Sequence, residues 1–195
     1  MIITLDFETS GTDHNRHAPV TLGVAIIDEA GVKVAQDEWL FAPPYHYKTG
    51  KVTREYDINA MLIHEVPWPR IVKHGTPCAD VLRELGDMAE SHHAGNALVL
   101  AYNAPFDFGW YSTCLFLAGG YDRQSQSFKP APPPIVGPWQ CVMLLAKREY
   151  PHLPDHKLDT VAKHLGLART TDAHGALEDA LLCYEIYKAI QEAQR

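Results

Sequence analysis

Four acidic residues and one histidine stand in segments that are otherwise apolar or small. Asp6 and Glu8 lie in Ile3-Thr-Leu-Asp-Phe-Glu-Thr-Ser-Gly11, and Asp107 in Tyr102-Asn-Ala-Pro-Phe-Asp-Phe-Gly-Trp110. His174 and Asp179 share Asp172-Ala-His-Gly-Ala-Leu-Glu-Asp-Ala180. Carboxylates gathered where a core would normally form repel one another and lose hydration, which is costly unless cations neutralise them. Hard divalent ions such as Mg²⁺ favour carboxylate oxygens. A metal-assisted reaction on a phosphate is the chemistry this set would support.

Each position has its own weight. Asp6 and Glu8 are two residues apart on a predicted strand, so their side chains leave the same face. The plainer alternative is a solvated strand face, but Ile3, Leu5 and Phe7 alternate with them and require a buried neighbour. Asp107 falls in the first turn of a predicted helix, where acids are favoured by the helix dipole. Alone it reads as a helix-terminus residue. Asp179 shares a helical face with Leu182, Cys183, Ile186 and Ile190. A carboxylate on a core-facing stripe needs a compensating charge, and no Lys or Arg lies within a turn of it on that helix. His174 stands out through its spacing to Asp179. His14, His17, His92 and His93 read as surface or packing residues.

The elements that must position these groups follow from periodicity. Residues 2–8, 20–28 and 32–41 predict three strands in an antiparallel meander, and 97–101 a short buried strand. Residues 43–54 predict a loop. Helices are predicted over 58–66 (ended by Pro67 and Pro69), 77–92 (capped by Thr76) and 105–117 (opened by Pro105). Three more are predicted over 141–149, 155–165 (capped by Asp155) and 175–192. Residues 119–138, with Pro132, Pro133 and Pro134, predict an extended surface loop. The fold class expected is α/β, with a mixed sheet flanked by helices in one domain over residues 1–195.

Composition sets limits. A chain of 195 residues with 46% hydrophobic residues suits one well-packed domain. No apolar stretch approaches a membrane span and no basic leader precedes the first strand, so a membrane is not expected as partner and a cytoplasmic location is. The four cysteines are scattered without a C-x-x-C pair, which predicts reduced buried thiols. The formal charge of −7 excludes tight nonspecific coating of long duplex, but cations at the acidic cluster would allow local contact with a few phosphates.

Together the three motifs resemble the DEDD exonuclease superfamily, with its ribonuclease H-like fold, in the histidine-bearing (DEDDh) branch that contains replicase proofreading subunits and ribonuclease T. The motifs are Asp6-Phe-Glu-Thr-Ser-Gly11, Asn103-Ala-Pro-Phe-Asp107 and His174-Gly-Ala-Leu-Glu-Asp179. The resemblance implies a mixed five-stranded sheet and a 3′→5′ exonuclease that uses two Mg²⁺ or Mn²⁺ ions. Asp6 would bridge the ions, Glu8 and Asp179 would complete one site, Asp107 would serve the other, and His174 would act as general base. Thr9, Ser10, Gly11, Asn103 and Phe106 would line the 3′-terminal nucleotide of a single strand. The chain departs from the family at Tyr102, where His is common, and at Thr12, where an apolar residue often stacks on the terminal base.

The resemblance also leaves a homodimer open, as in ribonuclease T, while no segment reads as a polymerase-binding tail. Two alternatives stand beside the exonuclease: a catalytically silent nucleic-acid or polymerase-binding module, and a ribonuclease H-like endonuclease. The intact set of acids argues against the first, and His174 ahead of the last acid against the second.

Overall fold

Alternation along the first strand divides the hydrophobic residues between two layers. The structure, a computed structural model, describes residues 1–46, 49–122, 127–168 and 175–194. Strand β1 (Ile2–Thr9) sends Ile3, Leu5 and Phe7 to one side. They join Leu22, Val24 and Ile26 of β2 (Pro19–Ile27) beneath helices α3 (Cys78–Ser91) and α4 (Ala104–Ala118). The opposite face buries Ala25, Ile27 and Leu100 against α5 (Val142–Glu149), α6 (Leu158–His164) and α7 (Ala176–Ala193). The result is a sheet covered by helices on both faces, the arrangement that lets each strand bury both of its sides.

With β3 (Lys33–Leu40), β4 (Leu98–Ala101) and β7 (Trp139–Cys141), the five-stranded sheet has the order β3-β2-β1-β4-β7. The first three strands form the expected antiparallel meander. Strands β4 and β7 run parallel to β1, which makes the sheet mixed. Every residue of β2 is buried, whereas the edge strand β3 exposes Lys33, Asp37 and Glu38, charges that discourage pairing with another sheet.

Several local expectations are corrected. The first helix ends ahead of Pro67 as expected (α1, Ile58–His64), but the chain then forms a further helix that was not predicted, α2 (Trp68–His74). Pro69 sits in the first turn, where a missing N–H costs nothing. The predicted loop at 119–138 contains a small antiparallel hairpin of β5 (Gly120–Asp122) and β6 (Ser127–Lys129). Cys141 ends a strand instead of opening a helix. Asp155 accepts the Lys157 N–H at 3.0 Å and turns the chain just ahead of α6, without capping it. Thr76 makes no cap for α3, because its backbone is bonded to Leu40 and Ala42.

The last helix lies unusually close to the sheet. The hydroxyl of Thr4 donates to the carbonyl of Ala180 at 2.6 Å, and Ala176 and Ala180 are fully buried. Gly23 of β2, paired with Asp6, makes the approach possible. A Cβ at Gly23 would lie 2.0 Å from the backbone nitrogen of Leu177 and 2.2 Å from the carbonyl carbon of Ala176. Backbone cannot yield at that distance, so any side chain there lifts the first turn of α7, the turn that carries Asp179. Gly23→Ala is therefore expected to weaken Mn²⁺ binding at least tenfold by calorimetry while far-UV circular dichroism stays native. Gly86→Ala, whose Cβ would meet only the side chain of Pro134 at 3.3 Å, should leave the affinity unchanged. Equal affinities in the two variants would contradict this role for Gly23.

Candidate active site

Strand β4 pairs with β1 only from Ile2 to Thr4 and then turns into α4, so the last residues of β1 are free of a strand neighbour on that side. This leaves a crevice at the carboxyl ends of two parallel strands, the usual ligand position in open α/β sheets. The backbone N–H of Phe7 points into it and donates to Asp107 Oδ1 at 3.2 Å. Helix α4 thereby delivers Asp107 to the strand that carries Asp6 and Glu8.

From the other face, α7 brings Asp179. One carboxylate oxygen from each of Asp6, Glu8 and Asp179 lies within 4.8 Å of the others. Metal–oxygen distances of about 2.1 Å put ligand oxygens up to about 4.2 Å apart across a Mg²⁺ ion, so the three nearly enclose a cation. Asp6 and Glu8 are half-buried and Asp179 is buried. The donors are hard oxygens, which suits Mg²⁺ or Mn²⁺.

Asp107 is 2% exposed. Burial pushes its carboxyl up to about 8, opposed by hydrogen bonds from the Phe7 N–H and its own N–H, and the nearby Glu8 raises it further. Cys183 of α7 lies behind the same groups. Its thiol is held well above the ordinary range by burial first and then by Asp6 and Asp107. It stays a neutral thiol, which disfavours a thiolate metal ligand there. All four cysteines are buried and free, as expected.

The loop after Glu8 is shaped by its own polar groups. Ser10 has no exposed surface: its hydroxyl donates to the Glu55 carbonyl at 2.6 Å and accepts the Ala18 N–H at 2.8 Å. Its side chain is thus fully engaged within the fold. The Thr9 hydroxyl is likewise committed, to the Gly11 carbonyl at 2.7 Å. Gly11 has φ +155°, and the His17 ring occupies the space a Cβ would need. Asn103 is exposed at the start of α4, and the half-buried Phe106 lies beside it. His14 is a packing residue: its ring lies over Trp110, with centroids 4.6 Å apart, and its Nε2 is 3.2 Å from the Phe106 carbonyl. It joins this loop to the helix of Asp107. The Tyr102 hydroxyl donates to the His156 carbonyl at 2.8 Å and so serves as a structural tie. His174 and Asp172 lie outside the described residues. Sequence reasoning missed Gly23 and Thr4. A glycine inside an otherwise apolar strand, opposite Asp6, was the available signal.

No family model matches the chain. It is 26% identical over 197 aligned positions to the PolC-type DNA polymerase III of Oceanobacillus iheyensis, a match that takes in 97% of this chain and 11% of that relative's length. Among solved structures, exonuclease X in complex with 5′ overhanging duplex DNA superposes with a TM-score of 0.67 at 21% identity, covering 99% of this chain and 92% of that one. Escherichia coli exonuclease I in complex with a dT13 oligonucleotide gives 0.72 at 17% identity, over 100% of this chain and 41% of that one. The chain has the ribonuclease H-like fold of these exonucleases, as the motifs had implied.

Raising the Asp107 carboxyl in the folded state makes stability depend on pH. Its contribution is complete below the unfolded value near 3.8 and is lost as pH rises towards about 8. In EDTA, the urea midpoint of the wild type should fall between about pH 5 and pH 8, and Asp107→Asn should remove that part of the fall. Identical pH slopes for the two proteins would show that Asp107 carries no such burden.

Proposed function

We propose that the chain is a metal-dependent 3′→5′ exonuclease acting on single-stranded DNA or RNA ends, with residues 1–195 as a single exonuclease domain. The observation that carries this reading is the convergence of Asp6, Glu8 and Asp179 within 4.8 Å, beside a buried Asp107 locked to Phe7. The likeness in fold to exonucleases X and I supports the same chemistry. Among the described residues no helix is long and apolar enough to cross a membrane.

In this reading Asp6, Glu8 and Asp179, with Asp107 beside them, would hold two Mg²⁺ or Mn²⁺ ions. Bound divalent cations supply Lewis-acid stabilisation of the charge that develops on the phosphate. His174 takes the proton of the attacking water, a task suited to an imidazole titrating near neutral pH. The water oxygen bonds to the terminal phosphorus as the bond to the 3′ oxygen breaks, the leaving 3′ oxygen takes up a proton from solvent, and a nucleoside 5′-monophosphate is released. Asn103 and Phe106, at the mouth of the crevice, flank the terminal nucleotide together with the backbone of Thr9 to Gly11.

The test uses 5′-labelled single-stranded oligonucleotides with Mg²⁺ or Mn²⁺, with a free or a blocked 3′ end, and a circular single strand. Stepwise shortening from the free 3′ end to mononucleotides is expected, with none from the blocked end. Asp6→Asn should abolish it, and His174→Ala should slow it by about two to four orders of magnitude with metal binding retained. Internal cuts in the circle, lost in Asp107→Ala, would instead establish an endonuclease.

A further inference from the structure

Thr12 presents a small polar side chain at the exposed edge of the loop after Glu8, a poor surface for a base. A better one lies nearby. Helices α1 and α2 expose Ile58, Leu62, Ile63, Trp68 and Val72, each between 40% and 70% exposed. Such a cluster on a small domain marks a binding surface. Between the helices is a cavity of about 540 Å³ whose lining includes Tyr56, Ile58, Met61, Leu62, Val66 and Trp68. That volume lies within the range of small-ligand sites.

One feature gives the cavity a polar requirement. The Tyr56 hydroxyl is buried and has no hydrogen-bond partner among the described residues, although Tyr56 is in the cavity wall. The turn at Glu65, a non-glycine residue at φ +54°, is held by His64, whose Nδ1 accepts the Val66 N–H at 3.1 Å. A buried hydroxyl without a partner is uncommon and invites a ligand that supplies an acceptor. A nucleobase has two apolar faces and an edge rich in acceptors.

The cavity is fixed to the candidate active site. The Asp57 N–H donates to the Ser10 carbonyl at 2.8 Å, and Ser10 Oγ donates to the Glu55 carbonyl at 2.6 Å, one on each side of Tyr56. The Tyr56 and Trp68 rings meet edge to face, with centroids 4.7 Å apart. We propose that the cavity between α1 and α2 receives an unstacked nucleobase near the 3′ end of the substrate strand, with Trp68 and Tyr56 as its aromatic wall. This rests on the reading of the carboxylate cluster as a nuclease centre, and it assigns the strand a second point of attachment.

The test measures binding of a thymidine decamer, with Ca²⁺ replacing Mg²⁺, against decamers lacking the base at the last or the second-last nucleotide. In the wild type, loss of one of these bases should weaken binding about tenfold, the scale of one base–aromatic stack. Trp68→Ala should weaken the complete decamer by a similar factor and add no further loss for the abasic one. Trp68→Phe should restore most of the affinity, which separates stacking from misfolding. Equal binding of all three decamers, or losses that multiply in Trp68→Ala, would overturn the proposal. So would self-association that Trp68→Ala abolishes while oligonucleotide binding is unchanged, since the surface would then belong to a second copy. Base-dependent binding through Trp68 without any cleavage in Mg²⁺ or Mn²⁺ would uphold the cavity and remove the exonuclease. Cleavage with base-independent binding would do the reverse.

Discussion

Repulsion among carboxylates is the constraint around which this molecule is arranged. Three carboxylate oxygens within 4.8 Å of one another, beside a fourth acid that is 2% exposed, cannot all remain ionised cheaply without positive charge. The fold nevertheless forces them together from three elements. Alternation on β1 sets Asp6 and Glu8 on one face, the Phe7 N–H holds Asp107, and the close seat of α7 on Gly23 and Thr4 delivers Asp179. Each contact is backbone-based or sterically tight, so the arrangement cannot relax by moving a flexible side chain. That rigidity favours a site preorganised for cations.

Much of this was legible in the sequence because its signals are periodic. The two-residue spacing of Asp6 and Glu8 and the helical stripe through Asp179 correspond to the faces on which these residues are found. The meander strands and most helices follow from the same patterns. The misses share another cause: they are set by tertiary contacts. Strand β7 is three residues long and exists because β4 pairs with it, and α2 begins where proline is tolerated. The tie of the Ser10 hydroxyl to backbone groups of Glu55 and Ala18, the first of them distant in sequence, is likewise visible only in the fold. Gly23 carries no chemistry of its own, and its importance shows only when α7 is seen resting on it.

The acidic balance of the chain fits a site that acts on a strand end. Under the proposed function, a formal charge of −7 opposes extensive contact with phosphates, so attraction would be local and would depend on cations gathered at the crevice. An apolar cavity beside that crevice would add affinity that salt does not screen. The two together would hold a single strand by its end while rejecting the long duplex that a basic surface would attract.

The central claim is that the four acids form a cation site, and anomalous diffraction from crystals grown with Mn²⁺ tests it most directly. The expected result is one anomalous peak about 2.1 Å from oxygens of Asp6, Glu8 and Asp179, and a second on the side of Asp107 that shares Asp6. Absence of any peak within coordination distance of these four side chains, at Mn²⁺ concentrations that saturate the crystal, would contradict it.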